Sequence, residues 1–134
     1  SMTVVFVEFD ITAKSNGNQI NWSTILETNL AKYEIQRSTS NQSFETIATI
    51  QAKGSNAVTV NYTFTDTKPL NGKNIYRLKM VDTRNGVQFT ANKITSNNSH
   101  QYFEANILFT MFFIYRFNKF RLVILKNKSI TDKK

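Results

Sequence analysis

The chain has 134 residues, is 40% hydrophobic, contains no cysteine, and carries a formal net charge of +8 from 17 Lys+Arg against 9 Asp+Glu. That length allows one domain with a sizeable core plus an extension. Without cysteine, disulfide scaffolds, thiolate nucleophiles, zinc ribbons and iron–sulfur clusters are excluded.

The charge is unevenly placed. Residues 1 to 94 hold 10 Lys+Arg against 7 Asp+Glu, and residues 95 to 134 hold 7 against 2. Most of the basic excess therefore belongs to the last third, where a terminal run such as Lys126, Lys128, Lys133 and Lys134 is expected to be solvated. Nucleic acid is not expected as a partner. Ser1-Met2 reads as a tag remnant, residues 1 to 3 as a lead-in, and no export signal precedes the first strand.

Val5, Val7, Phe9, Ile11 and Ala13 alternate with Phe6, Glu8, Asp10 and Thr12, the period of a half-buried strand. An Asn16-Gly17 turn follows, and Ile20 and Trp22 resume the alternation, so the two strands should pair as a hairpin. Ser23 to Ala31 is polar and reads as a loop. Tyr33, Ile35 and Arg37 mark a third strand, Phe44 to Gln51 a fourth, and Tyr62 and Phe64 a fifth. Pro69 and Asn71-Gly72 punctuate the chain before Tyr76, Leu78 and Met80 line one face of a sixth. Arg84-Asn85-Gly86 is a tight turn leading to Val87, Phe89 and Ala91. About seven short strands without a helical period predict an all-β sandwich of antiparallel strands.

The expected core includes Ile11, Ile20, Trp22, Tyr33, Ile35, Phe64, Leu70, Tyr76 and Leu78. Leu70 stands six residues before Tyr76, the spacing of a tyrosine corner, in which the phenol hydroxyl bonds to upstream backbone.

Asn21-Trp22-Ser23-Thr24, Glu27-Thr28-Asn29 and Tyr33-Glu34-Ile35-Gln36-Arg37-Ser38 together resemble a fibronectin type III-like module common in Bacteroidetes-type secreted proteins. The likeness continues through Phe44 to Ile47, Tyr62 to Asp66, Pro69 to Gly72, Tyr76 to Lys79, Val81-Asp82 and Gly86, covering roughly Val4 to Ile94. It implies a fibronectin type III/immunoglobulin-like sandwich, a secreted or cell-surface location, and a spacer often found next to a type IX secretion sorting domain. Hosts of such modules include adhesins, proteases and polysaccharide-degrading enzymes. The implied organisation is a domain over 4–94, a polar linker over 95–106 and an apolar-basic extension over 107–134.

No nucleophile–base pair, carboxylate pair or metal-ligand spacing stands out, so no catalytic residue, metal or cofactor is expected. His100, the only histidine, sits in a polar stretch and reads as solvated. Asp82 to Gly86 reads as a hairpin turn rather than a calcium loop. Glu27 reads as a carboxylate that fixes its loop. Trp22, Tyr33, Tyr62 and Tyr76 share phase with apolar neighbours and read as core rather than as a sugar-stacking platform. Glu34 and Gln36 should face solvent opposite Arg77 and Lys79 as cross-strand pairs.

The extension is the least ordinary segment. Phe109, Phe112, Phe113, Tyr115, Arg116, Phe117, Phe120 and Arg121 form a basic-aromatic run too interrupted by charge to span a bilayer. Aromatic enrichment predicts a β-hairpin turning near Asn118, with a membrane-surface segment and a partner-docking strand pair as alternatives. The expected role is a non-catalytic structural spacer or interaction module, its partners being other domains of the parent protein, a surface protein or a glycan. The alternatives are a glycan- or surface-binding adhesion module and an accessory domain of a secreted hydrolase.

Overall fold

Alternating side chains give each segment one apolar face, and two sheets bury those faces against each other. The computed structural model describes residues 1–97 and 111–119. The chain divides into two units, Ser1–Asn97 and Asn98–Lys134.

The first unit is an all-β sandwich of strands β1 (Thr3–Lys14), β2 (Gly17–Thr28), β3 (Leu30–Ser38), β4 (Glu45–Gln51), β5 (Ser55–Asp66), β6 (Gly72–Asp82), β7 (Val87–Phe89) and β8 (Lys93–Asn97). One sheet has the order β1-β2-β5. The other runs β4-β3-β6-β7, with β8 also pairing β6. Every pairing is antiparallel.

The last two strands are one strand interrupted at Thr90 to Asn92. Thr90 bridges the break, its N–H donating to the Leu78 carbonyl (3.0 Å) while its hydroxyl accepts from the Leu78 N–H (2.9 Å). β8 carries the sandwich past Ile94 to Asn97. At the other end Met2 is buried in the core cluster, so the expected lead-in is part of the fold.

The polar stretch expected to be a loop, Ser23 to Ala31, is instead strand up to Thr28, with β3 beginning at Leu30. Its polar side chains are buried because they bond to one another: Thr24 and Glu27 are both buried and hydrogen-bonded together. Against β1, Ile25 is an extra residue between Leu26 opposite Val5 and Thr24 opposite Phe6, and this bulge lets Thr24 and Glu27 both point inward. Bulges around Phe6 likewise reset β1, so Val4, Phe6, Phe9 and Ile11 pack on the core while Val5 and Val7 are exposed.

The core is built on Trp22. Its ring stacks on Tyr62 (centroids 5.0 Å apart, 5° between planes) and meets Tyr33 edge-on at 5.3 Å. Ile20, Ile35, Leu78 and Met80 close around these rings.

In the second unit residues 111–119 form a helix. This corrects the expected hairpin turn near Asn118. Aromatic residues favour strands only where a neighbouring strand packs on them, whereas here Phe112 and Arg116 meet at i,i+4 spacing with the guanidinium 5.3 Å from the ring centre.

Candidate functional site

Strand β2 carries a polar group at each end, and each gathers side chains from both sheets. Near its C-terminal end, Glu27 is 8% exposed. Its Oε1 accepts from the hydroxyls of Thr24 (2.9 Å), Tyr33 (2.6 Å) and Tyr62 (2.8 Å). Its Oε2 accepts from the Gly54 N–H at 2.8 Å. The Lys53 N–H in turn donates to the Tyr62 oxygen at 2.8 Å. One carboxylate thereby ties β2, β3, β5 and the β4–β5 connection together. Burial and the bond to Glu27 push the Tyr33 hydroxyl far above its ordinary value. Tyr62 is pushed up by burial as well. These phenols are poor proton donors, and the carboxylate they surround has its lone pairs occupied.

Near the N-terminal end of β2, Asn18 donates to the Tyr76 hydroxyl (2.9 Å) and exchanges amide bonds with Asn97 at 2.8 and 2.9 Å. Tyr76 donates to Asp66 Oδ2 at 2.7 Å, and Arg37 reaches the same oxygen at 2.8 Å. Burial alone would depress the Arg37 guanidinium, but its bonds to Glu45 and Asp66 hold it above its usual value. Burial also pushes the Tyr76 hydroxyl up. The tyrosine-corner expectation is corrected in its partner: the phenol bonds the Asp66 side chain rather than upstream backbone. Asn74 takes the backbone-fixing role at Leu70, accepting from its N–H (2.8 Å) and donating to its carbonyl (2.7 Å).

A groove of about 540 Å³ is lined by Glu8, Asn21, Ser23, Ile50, Lys53, Asn61 and Thr63, with Trp22 and Tyr62 also bordering it. Glu8, Ser23 and Asn61 stand side by side across β1, β2 and β5. Lys53 borders the groove, its Nζ donating to the Asn61 carbonyl (2.8 Å) and lying 4.8 Å over the Tyr62 ring. The groove thus offers a carboxylate, two amides, two hydroxyls and an ammonium. Sequence reasoning did not find it, because its residues come from four strands and the β4–β5 connection, whose pairing is not visible in a pattern of apolar positions.

Of the residues singled out in sequence, Trp22, Tyr33, Ile35, Tyr76 and Leu78 are buried, while Phe64 and Leu70 are half-buried. Glu34 accepts from Lys79 (2.8 Å) and pairs with Lys32 (2.9 Å), and the two ammonium partners hold its carboxyl below the ordinary range. Arg77 donates to Gln36 at 2.8 Å. Asp82 Oδ1 accepts from the N–H groups of Arg84 and Gly86, both at 2.7 Å, which commits it to the turn. Phe112, Phe113, Tyr115, Arg116 and Phe117 are exposed on the helix. His100, Phe109, Phe120 and Arg121 lie outside the described residues.

Among the described residues no three His, Cys, Asp or Glu side chains are grouped to hold a metal, and no helix is long and apolar enough to cross a membrane. Comparison with known proteins gave no match: no family model fits the chain, and neither a curated protein nor a solved structure matches it.

Proposed function

We propose that this chain is a non-catalytic spacer or interaction module of the fibronectin type III-like kind, carried by an exported bacterial protein. The observation that carries the reading is the commitment of the two carboxylates that are buried among the described residues. Glu27 and Asp66, 8% and 5% exposed, stand on the three-stranded sheet and each accept bonds from side chains of the facing sheet, Tyr33 on Glu27 and Arg37 with Tyr76 on Asp66. A catalytic carboxylate needs a free lone pair facing a substrate; these face tyrosines and arginine of the fold. The partition of strands into β1-β2-β5 and β4-β3-β6-β7 supports the module type, as does the motif order from Asn21 to Gly86.

Purified protein assayed on glycosidic, peptide and ester substrates is expected to show no turnover. Turnover abolished by Glu27→Gln or Asp66→Asn in a still-folded protein would overturn the reading. The reading frame around this segment tests the export half, with an export signal expected and a cytoplasmic host protein contradicting it.

The groove across β1, β2 and β5 favours a second reading as a glycan-binding adhesion module, since its amides, hydroxyls and carboxylate match sugar hydroxyls. Its weakness as a sugar site is physical: Trp22 and Tyr62 are 1% and 5% exposed and present no open ring face. A glycan array decides between the two. Binding lost in Glu8→Gln and Asn61→Ala supports adhesion, and a blank array leaves the spacer or protein-interaction reading.

A further inference from the structure

On the outer side of the five-stranded sheet one guanidinium has aromatic rings on two sides and no acid beside it. Arg77 lies on β6 in opposite phase to the buried Tyr76 and Leu78. Its Cζ is 3.9 Å from the ring centre of Phe44 and 4.1 Å from that of Phe89. Its Nε donates to Gln36 Oε1 at 2.8 Å, and Gln36 is itself fixed by donating to the Thr46 hydroxyl at 3.2 Å. The neighbouring carboxylate, Glu34, is taken by Lys32 and Lys79. Among the described residues Arg77 makes no ion pair, and its two terminal nitrogens make no hydrogen bond.

This arrangement differs from an ordinary surface arginine in two ways. The rings displace water from the guanidinium, and burial pushes its ionisation below the ordinary arginine value. The rings and Gln36 also fix the long side chain in advance, so an oxyanion arriving at the two terminal nitrogens gains parallel hydrogen bonds without ordering the arginine first. Phe89 and Val87, 49% and 45% exposed, supply apolar contact alongside. Because Phe44 and Phe89 both turn toward Arg77, they form a clamp rather than an open platform for a sugar ring.

We propose that Arg77, held between Phe44 and Phe89, is a carboxylate-recognition site for an acidic peptide segment of a partner protein. The site rests on the interaction-module reading and gives it a partner chemistry. Alternating side chains of an extended peptide would set glutamate or aspartate on Arg77 and apolar groups on Val87 and Phe89.

The test is calorimetric titration of the whole chain with a blocked peptide alternating leucine and glutamate. Its leucine–glutamine counterpart, oligogalacturonate and sodium sulfate serve as competing probes. The glutamate peptide is expected to bind at least about tenfold more tightly than the glutamine peptide. Arg77→Lys, which keeps the charge but not the fork, should lose about tenfold, while Lys14→Gln should change binding by less than about twofold. Phe89→Leu, which keeps apolar bulk but removes one ring of the clamp, should also weaken it. Equal binding of the two peptides, no response to Arg77→Lys, or absence of binding overturns the proposal. So does preference for oligogalacturonate, which would assign an acidic glycan, or sulfate competing as well as the peptide, which would leave only a general anion site. None of these results bears on the absence of turnover, so the module reading and this site fail separately.

Discussion

At Glu27 four hydrogen-bond donors meet one carboxylate, and removing it strands the three buried hydroxyls of Thr24, Tyr33 and Tyr62 in the core. Glu27→Ala is therefore expected to destabilise the fold by about 3 to 4 kcal/mol in denaturant melts. Trp22→Ala should cost about 3 to 5 kcal/mol, since the ring is 1% exposed and packs on two tyrosines. Among the described residues the indole N–H of Trp22 has no hydrogen-bond partner, so the loss is one of packing. The tyrosines set a pH dependence. Tyr33, Tyr62 and Tyr76 are all held protonated above the ordinary value of 10.0. In the unfolded chain they ionise near that value, and in the folded chain they do not. Their contribution is whole at neutral pH and is lost as pH rises beyond about 10. Alkaline titration of stability should show this decline, and Tyr33→Phe together with Tyr62→Phe should flatten it.

Strand irregularities decide which side chains reach the core. In β5 the residues Ala57 to Thr59 fall between Asn56 opposite Leu26 and Val60 opposite Thr24, and Ala57 has φ 58°. A left-handed alanine is strained, and Ala57→Gly should stabilise the sandwich by about 0.5 to 1 kcal/mol in the same melts. Gly17 opens β2 with φ 133°, and a Cβ there would sit 2.1 Å from the Asp66 carbonyl oxygen. Gly17→Ala should accordingly cost about 3 kcal/mol or more. These elements also show what the sequence could disclose. Alternation located β2, β3 and β6 through Trp22, Tyr33, Ile35, Tyr76 and Leu78, because one buried face of a regular strand has period two. It missed the end of β2, where Thr24 and Glu27 are inward but polar, since a hydrogen-bonded core looks like a loop to a hydrophobicity pattern. Val7 was assigned to the wrong face because a bulge changes phase without changing composition. The Phe44–Arg77–Phe89 clamp was hidden for a related reason: Phe44 just before β4, Arg77 on β6 and Phe89 on β7 are brought together by the sheet order β4-β3-β6-β7. Even so, phase set Gln36 and Arg77 on one face, and the adjacency of β3 and β6 then pairs them.

Taken as a body, Ser1–Asn97 is a sandwich fastened at both ends of β2, by Glu27 at one and by Asn18, Tyr76 and Asp66 at the other. Asn97 belongs to the second fastening through its bonds to Asn18 and Asn74. A chain ending at Asn97 should therefore melt cooperatively, while one ending at Ser96 should melt several degrees lower for want of those bonds, about 1 to 2 kcal/mol. The measurement that bears most directly on the whole account is equilibrium unfolding of the chain ending at Asn97, followed by Trp22 fluorescence and far-ultraviolet circular dichroism, with and without Glu27→Ala. A fold held by its buried carboxylates predicts coincident transitions and a loss of about 3 kcal/mol or more in the variant. A variant as stable as the parent, yet deprived of a binding or catalytic activity, would make Glu27 a functional group and contradict the account.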